Sequence, residues 1–148
     1  MIKRFPFFPQ LDSVDCGPTC LRMIAMYYGR DLPIEELRAA SNLTREGVSL
    51  LNISEAAESL GFRSLAVKTS LELLEEAAVL PLIVHWRKRH FVIVYKISAD
   101  EVYVADPGSG LINYPKKEFL KMWSNATEDD HNYGFALVLE PLPTFHEQ

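Results

Sequence analysis

The sequence predicts a single α+β domain, on three observations. The chain has 148 residues, and at roughly 150 residues per domain that length makes one domain. Helical hydrophobic periods fill the first half and extended apolar runs the second, an order unlike the alternation of βαβ units. Apolar residues are 48% of the chain and charged residues 24%, the balance of a chain that buries a core.

The elements follow in order. Residues 16–28 form a helix that is apolar over most of its surface, through Cys20, Leu21, Ile24, Ala25, Tyr27 and Tyr28, so it is central and buried. Gly29 is its C-terminal stop. A short helix over 33–40 opens on Pro33, tolerated in a first turn. Over 49–60 the residues Leu50, Ile53, Ala57 and Leu60 share one stripe, with Ser49 as cap and Gly61 as end. A strand over 62–68 and a short helix over 70–77 come next. From residue 80 the chain reads as strands over 82–86, 90–97, 102–106 and 111–114. Turn signals at 98–100 and 106–110 separate the later ones. A helix over 116–123 and a strand over 134–140 complete the domain, assigned to residues 1–140. Pro141 and Pro143 cannot continue a central strand, so 141–148 is predicted to be a tail or the start of a linker.

Several functional classes are excluded. The longest unbroken apolar stretch, residues 77–84, is eight residues long and contains Pro81, whereas a spanning helix needs about 20. Lys3 and Arg4 precede a short apolar segment broken by Pro6 and Pro9, so no secretion core forms. Fifteen Lys and Arg against twenty Asp and Glu leave a net charge of −5, opposite to that of a general nucleic-acid binder. The basic cluster at Arg87, Lys88 and Arg89 reads as a solvated loop. Two cysteines, Cys16 and Cys20, are too few for a disulfide scaffold and sit poorly for bonding to each other. A zinc site from both cysteines and a histidine lacks an evident fourth ligand.

Three features carry chemistry: Cys16 at a helix start, His90 opening a strand, and Asp106 closing the next. A cysteine at a helix N-terminus faces backbone N–H groups and the positive end of the dipole, which favours thiolate. A histidine supplies a proton partner near neutral pH, and a carboxylate on a neighbouring strand can hold its tautomer. The order Cys, His, Asp is that of papain-like proteases. Taken alone the pattern is weak, since a buried structural cysteine and an Asp-Pro-Gly turn are the commoner readings. Cys20 reads as such a core cysteine and His85 as a packed ring with a hydrogen-bonded nitrogen. His131 in an acidic loop and His146 in the tail point to no site.

The segment from Pro9 through Gln10, Asp12, Asp15-Cys16-Gly17-Pro18-Thr19-Cys20 to Ile24 resembles the nucleophile segment of the bacteriocin-processing cysteine peptidases. These are papain-like domains usually found at the N-terminus of peptidase-containing ABC transporters. Arg45-Glu46-Gly47, Ala56-Ala57, Leu60-Gly61-Phe62, His85-Trp86, His90-Phe91-Val92, Ala105-Asp106-Pro107 and Phe119 to Trp123 match in the same order, so the likeness covers residues 5 to about 123. It implies a papain-like fold with Cys16 as nucleophile, His90 as base and acid, Asp106 as the orienting residue and Gln10 in the oxyanion hole. The chain departs from the pattern after Trp123, where Ser124-Asn125 stand in place of the usual glycine two residues on, and the polar stretch to Asn132 reads as an insertion.

The resemblance further implies removal of leader peptides from bacteriocin-type precursors after a Gly-Gly type pair. It implies no metal or nucleotide in this domain, with ATP used only in an attached transporter. The partners would be a leader peptide and the transmembrane and nucleotide-binding domains of an ABC transporter, at the cytoplasmic face of the bacterial inner membrane, with no nucleic acid. The rival expectation is a non-catalytic module that only binds leader peptides; degenerate relatives of that kind lose the cysteine. A papain-fold acyltransferase using the same thioester is a third.

Overall fold

The computed structural model describes residues 4–44, 47–77, 79–86, 90–123 and 133–147. Helices α1 (Cys16–Tyr27), α2 (Ile34–Ala40) and α3 (Leu50–Ser59) come first. Strand β1 (Phe62–Ser70) and helix α4 (Leu71–Ala77) follow. Then come β2 (Leu82–Trp86), β3 (His90–Ile97), β4 (Glu101–Asp106) and β5 (Gly110–Pro115). Helix α5 (Lys116–Trp123) and strand β6 (Tyr133–Pro141) end the regular structure. The predicted order of helices before strands is therefore observed, with boundaries shifted by a residue or two. The predicted insertion at 124–132, His131 and the cluster at 87–89 lie outside the described residues.

The local signals act as their chemistry requires. The Ser49 side chain accepts from Asn52 N–H while the Asn52 side chain accepts from Ser49 N–H, a reciprocal capping box. Gly29 and Gly61 follow α1 and α3 at φ of 99° and 104°, ending both helices where the sequence places the stops.

All strand pairings are antiparallel, in one six-stranded sheet of order β1-β6-β2-β3-β4-β5. The last strand in sequence thus inserts between the first and second. Two apolar clusters sandwich the sheet. On one face Cys20, Leu21 and Ile24 of α1, Leu37 of α2 and Ile53 of α3 pack with Ile83, Phe91, Ile93, Ala105 and Leu137. On the other, Leu71 and Leu74 of α4 and Phe119 and Trp123 of α5 pack with Leu82, Val84, Val92, Val94, Val102 and Ala136. Because both faces are covered, β2 and β3 read as continuous apolar runs at 82–84 and 91–94, without polar alternation.

The segment after Pro141, predicted as a tail, is docked on this core. Phe145 is fully buried and packs against Phe62. Arg30 donates to the carbonyls of Leu60 and Phe145, and His146 Nε2 lies 2.7 Å from the Tyr28 carbonyl oxygen. Two prolines stop the strand, but a buried aromatic just beyond them returns the chain to the core. Among the described residues no helix is long and apolar enough to cross a membrane.

Candidate active site

Cys16 is the first residue of α1 and is 7% exposed. The N-terminus of α1 is pressed against the loop before α3: a Cβ on Gly17 would lie 2.5 Å from Val48 Cγ2 and 2.9 Å from Ile53 Cδ1. Only a residue without a side chain allows that approach, and it sets Cys16 at the edge of the packed core. One turn on, Cys20 is fully buried and its thiol donates to the Phe91 carbonyl at 3.4 Å. Burial, reinforced by the charges of Cys16 and Asp106, pushes the Cys20 thiol well above its usual pKa. Cys20 is thus the inert core cysteine that the sequence predicts, and it ties α1 to the strand residue next to His90.

His90 and Asp106 meet across the β3–β4 pair. Ile93 faces Ala105 in this ladder, and continuing that register sets Val92 against Asp106, with His90 as the diagonal neighbour. Diagonal residues lie about 7–8 Å apart at the backbone, a span that two side chains close. His90 Nε2 is 2.6 Å from Asp106 Oδ1, and the Cys16 side chain lies close enough to act on the charge of the same ring. Asp106 ends β4, and its Oδ1 accepts the Gly108 N–H at 2.9 Å while its carbonyl accepts the Ser109 N–H. The Asp-Pro-Gly segment is therefore both a turn and the holder of a carboxylate.

Electrostatics follow from these bonds. Burial alone would lower the His90 pKa, but the hydrogen bonds and charges of Asp106 and Cys16 outweigh it and raise the pKa from 6.5 to about 9. Burial would raise the Asp106 pKa; the bonds from His90 and Gly108 instead hold it below the ordinary carboxylate value. A sulfur, an imidazole and a carboxylate so grouped are able to serve as nucleophile, proton carrier and orienting acceptor.

Gln10 reaches the same place from the N-terminal segment. Its N–H donates to the Pro107 carbonyl at 2.9 Å, fastening that segment to the turn that holds Asp106. Its side-chain Nε2 donates to the Asp12 carbonyl at 2.9 Å, which leaves a second amide hydrogen on the same nitrogen. Its Oε1 is buried without a hydrogen-bond partner. All four predicted residues, Gln10, Cys16, His90 and Asp106, are brought together.

His85 does not join them. Its ring stacks on Phe91 at 4.8 Å and is half-buried rather than interior, because it lines a cavity of about 390 Å³. The same cavity is walled by Val48, Leu50, Asn52 and Phe91. Beside Cys16, the fully buried Asp15 is paired with Arg38 of α2, a contact absent from the sequence expectations. An acid directly before the cysteine and an arginine on the following helix are its only traces in the sequence. Among the described residues no group of three or more His, Cys, Asp or Glu is arranged to hold a metal ion.

Comparison with known proteins bears on this geometry. The lactococcin-G-processing and transport ATP-binding protein LagD of Lactococcus lactis subsp. lactis is 38% identical over 120 residues, covering 78% of this chain and 17% of that protein. The colicin V secretion/processing ATP-binding protein CvaB of Escherichia coli is 32% identical over 148 residues, covering 99% of this chain and 20% of that protein. The chain thus spans about a fifth of the length of these curated relatives. The crystal structure of the peptidase domain of Streptococcus ComA, a bi-functional ABC transporter involved in a quorum-sensing pathway, superposes with a TM-score of 0.83 at 30% identity, covering 93% of this chain and 99% of that domain. A double glycine motif protease from an AMS/PCAT transporter, crystallised with a leader peptide, gives a TM-score of 0.81 at 27% identity over 93% of this chain and 92% of that one. The family model of the C39 peptidases matches residues 4–127, from the Gln10 segment past α5. On that match, which spans Cys16, His90 and Asp106, the chain belongs to the Peptidase C39 family of cysteine peptidases.

Proposed function

We propose that this domain cuts peptide precursors after a Gly-Gly type pair, removing the leader before an attached ABC transporter exports the remainder. The observation that carries the proposal is the 2.6 Å pairing of His90 with Asp106, with the Cys16 side chain near enough to act on the same ring, inside a domain of this family. In this reading Cys16 is the nucleophile, His90 the base and acid, Asp106 its orienting partner and Gln10 an oxyanion donor. The Cys16 thiolate forms a bond to the carbonyl carbon of the last leader residue, and the developing oxyanion is held by the free Gln10 amide hydrogen and backbone N–H groups. His90 gives its proton to the leaving amine as the peptide bond breaks. Water, deprotonated by His90, then hydrolyses the thioester and frees the leader acid. None of these steps needs a metal or a nucleotide; ATP hydrolysis belongs to the transporter.

The cavity walled by Val48, Leu50 and Phe91 adjoins Gly17 and His90 through shared residues, and we assign it to the leader residues just before the cut. In this reading the preference for glycine at the cut comes from clash between larger residues and the groups around Cys16, which discriminates better than added contacts. The relatives are transport proteins about five times as long, which supports reading this domain as one part of an ABC transporter. In this reading the peptidase unit includes the docked segment through Phe145, lies at the cytoplasmic face of the bacterial inner membrane, and is joined to transmembrane and nucleotide-binding domains. The test is incubation with synthetic precursors ending their leaders in Gly-Gly or Gly-Val, with products weighed. The Gly-Gly peptide is cut once, after the second glycine; the Gly-Val peptide is uncut but competes. Equal cutting of both refutes the specificity.

A further inference from the structure

We infer that Arg38 is a positioning residue for the cleavage reaction: it draws the Asp15 carboxylate away from the first turn of α1 and so keeps that negative charge off the N–H groups beside the Cys16 sulfur. The inference rests on the reading of Cys16 as nucleophile.

The argument begins at the helix cap. An aspartate at an N-cap normally accepts a hydrogen bond from the N–H two or three residues on. Asp15 occupies the N-cap of α1, yet its side chain makes no capping bond, and its backbone, at φ −87° and ψ 4°, is not in the extended conformation that capping uses. The residue three on is Pro18, which has no N–H, so Gly17 offers the one usual capping donor. The carboxylate turns instead to α2, where Arg38 Nε donates to Oδ1 at 2.9 Å and a second guanidinium nitrogen holds Oδ2. Asp15 is fully buried, while the Arg38 side chain is 31% exposed. The helix still starts at Asp15, because its carbonyl accepts the Thr19 N–H at 2.9 Å.

A buried carboxylate without its cation is strongly unfavourable and seeks another donor. Without Arg38, the nearest donor in sequence is the Gly17 N–H. Occupying it places a full negative charge next to the sulfur and beside the position where the oxyanion develops, opposing both. The site already carries the Asp106 carboxylate and, when active, the thiolate; His90 supplies one positive charge and Arg38 a second. Asp12 and Glu35 act on the same guanidinium, so removing it also leaves these acids unbalanced near α1.

The test compares Arg38→Gln, Arg38→Lys and the neutral pair Asp15→Asn/Arg38→Gln with the unaltered domain. Three quantities are read: kcat and KM on a Gly-Gly precursor, the pH dependence of Cys16 alkylation by iodoacetamide, and the thermal melt. Arg38→Gln is expected to lower kcat by about 10-fold or more, since one unit charge a few ångströms away is worth about 5-fold even at the dielectric of water and more in a partly buried site, with KM changed less than about twofold. Its alkylation profile moves to higher pH. The double variant recovers most of both losses, and Arg38→Lys, which keeps the charge, keeps the alkylation profile of the unaltered domain. A folded Arg38→Gln domain with unchanged kcat and profile overturns the inference. So does a loss that the neutral pair fails to recover, because that marks plain structural damage. Should Arg38→Gln not fold, the Lys variant and the neutral pair decide: a shifted profile in both overturns it. Alkylation needs no peptide, so a domain that alkylates normally but cuts no Gly-Gly precursor refutes the proposed function and leaves the role of Arg38 to be judged on the profile.

Discussion

His90 Nε2 and Asp106 Oδ1 lie 2.6 Å apart although the two residues are not partners in the β3–β4 ladder. The diagonal placement has a chemical consequence. A direct partner would present its side chain alongside the imidazole; the offset lets the carboxylate meet one ring nitrogen at the strand end, leaving the other nitrogen unclaimed by Asp106. The Gly108 N–H fixes the same carboxylate oxygen from the turn, so the ring is oriented by a group that is itself held.

The pH dependence of stability follows from His90. Its pKa in the folded domain, about 9, is above the ordinary 6.5, so between these values the folded state binds more protons than the unfolded one. The stability it contributes is complete below about pH 6.5 and is lost as the pH rises through about 9. Urea unfolding at pH 6 and at pH 9.5 is expected to show a larger loss for the unaltered domain than for His90→Ala. NMR titration of the ring is expected to show the pKa falling in both Cys16→Ala and Asp106→Asn. A His90 pKa that stays put in both variants contradicts the geometry.

The two cysteines are expected to react unequally. Cys20 is fully buried with its thiol held by the Phe91 carbonyl, whereas Cys16 sits at the helix start against His90. Iodoacetamide at neutral pH labels Cys16 well before Cys20, as peptide mapping reads. Cys20 first, or both at one rate, removes Cys16 from its role.

In the proposed mechanism Gln10→Ala deletes one donor to the developing charge, and about 100- to 1000-fold in kcat is the expected loss. KM changes little, because the ground-state carbonyl gains less from that donor. Near-full turnover in this variant reduces Gln10 to the link between the N-terminal segment and Pro107.

Histidine replacement separates the candidates. His90→Ala abolishes cleavage. His146→Ala keeps the catalytic step, since its ring holds the Tyr28 carbonyl far along α1. His85→Gln also keeps it, with any change confined to KM because that ring lines the adjoining cavity. Asp106→Asn is milder than Asp106→Ala, as an amide oxygen still accepts from the imidazole. A folded but inactive His85→Gln domain exchanges the roles of the two histidines.

Most elements were legible because their signals are local. Ser49 caps α3, and Gly29 and Gly61 end helices, through interactions that span a few residues. The approach of His90 to Asp106 could be anticipated only as a possibility of strand pairing, since the register is set by the whole ladder. Two features were not legible. Asp15 and Arg38 are 23 residues apart, joined only once α2 packs on α1. Nothing in the run after Pro141 shows that Phe145 folds back on Phe62, because strand-stopping prolines mark the end of a strand and not the end of a core.

The central claim is that Cys16 carries the leader acyl group. Its most direct measurement is the intact mass of the domain during a single turnover with a Gly-Gly precursor, quenched in acid to preserve thioesters. The account predicts a transient species heavier by the leader, released by hydroxylamine, mapped to Cys16 and absent in Cys16→Ala, which also leaves the precursor whole. Cleavage that persists in Cys16→Ala, or an adduct mapped to another residue, contradicts it.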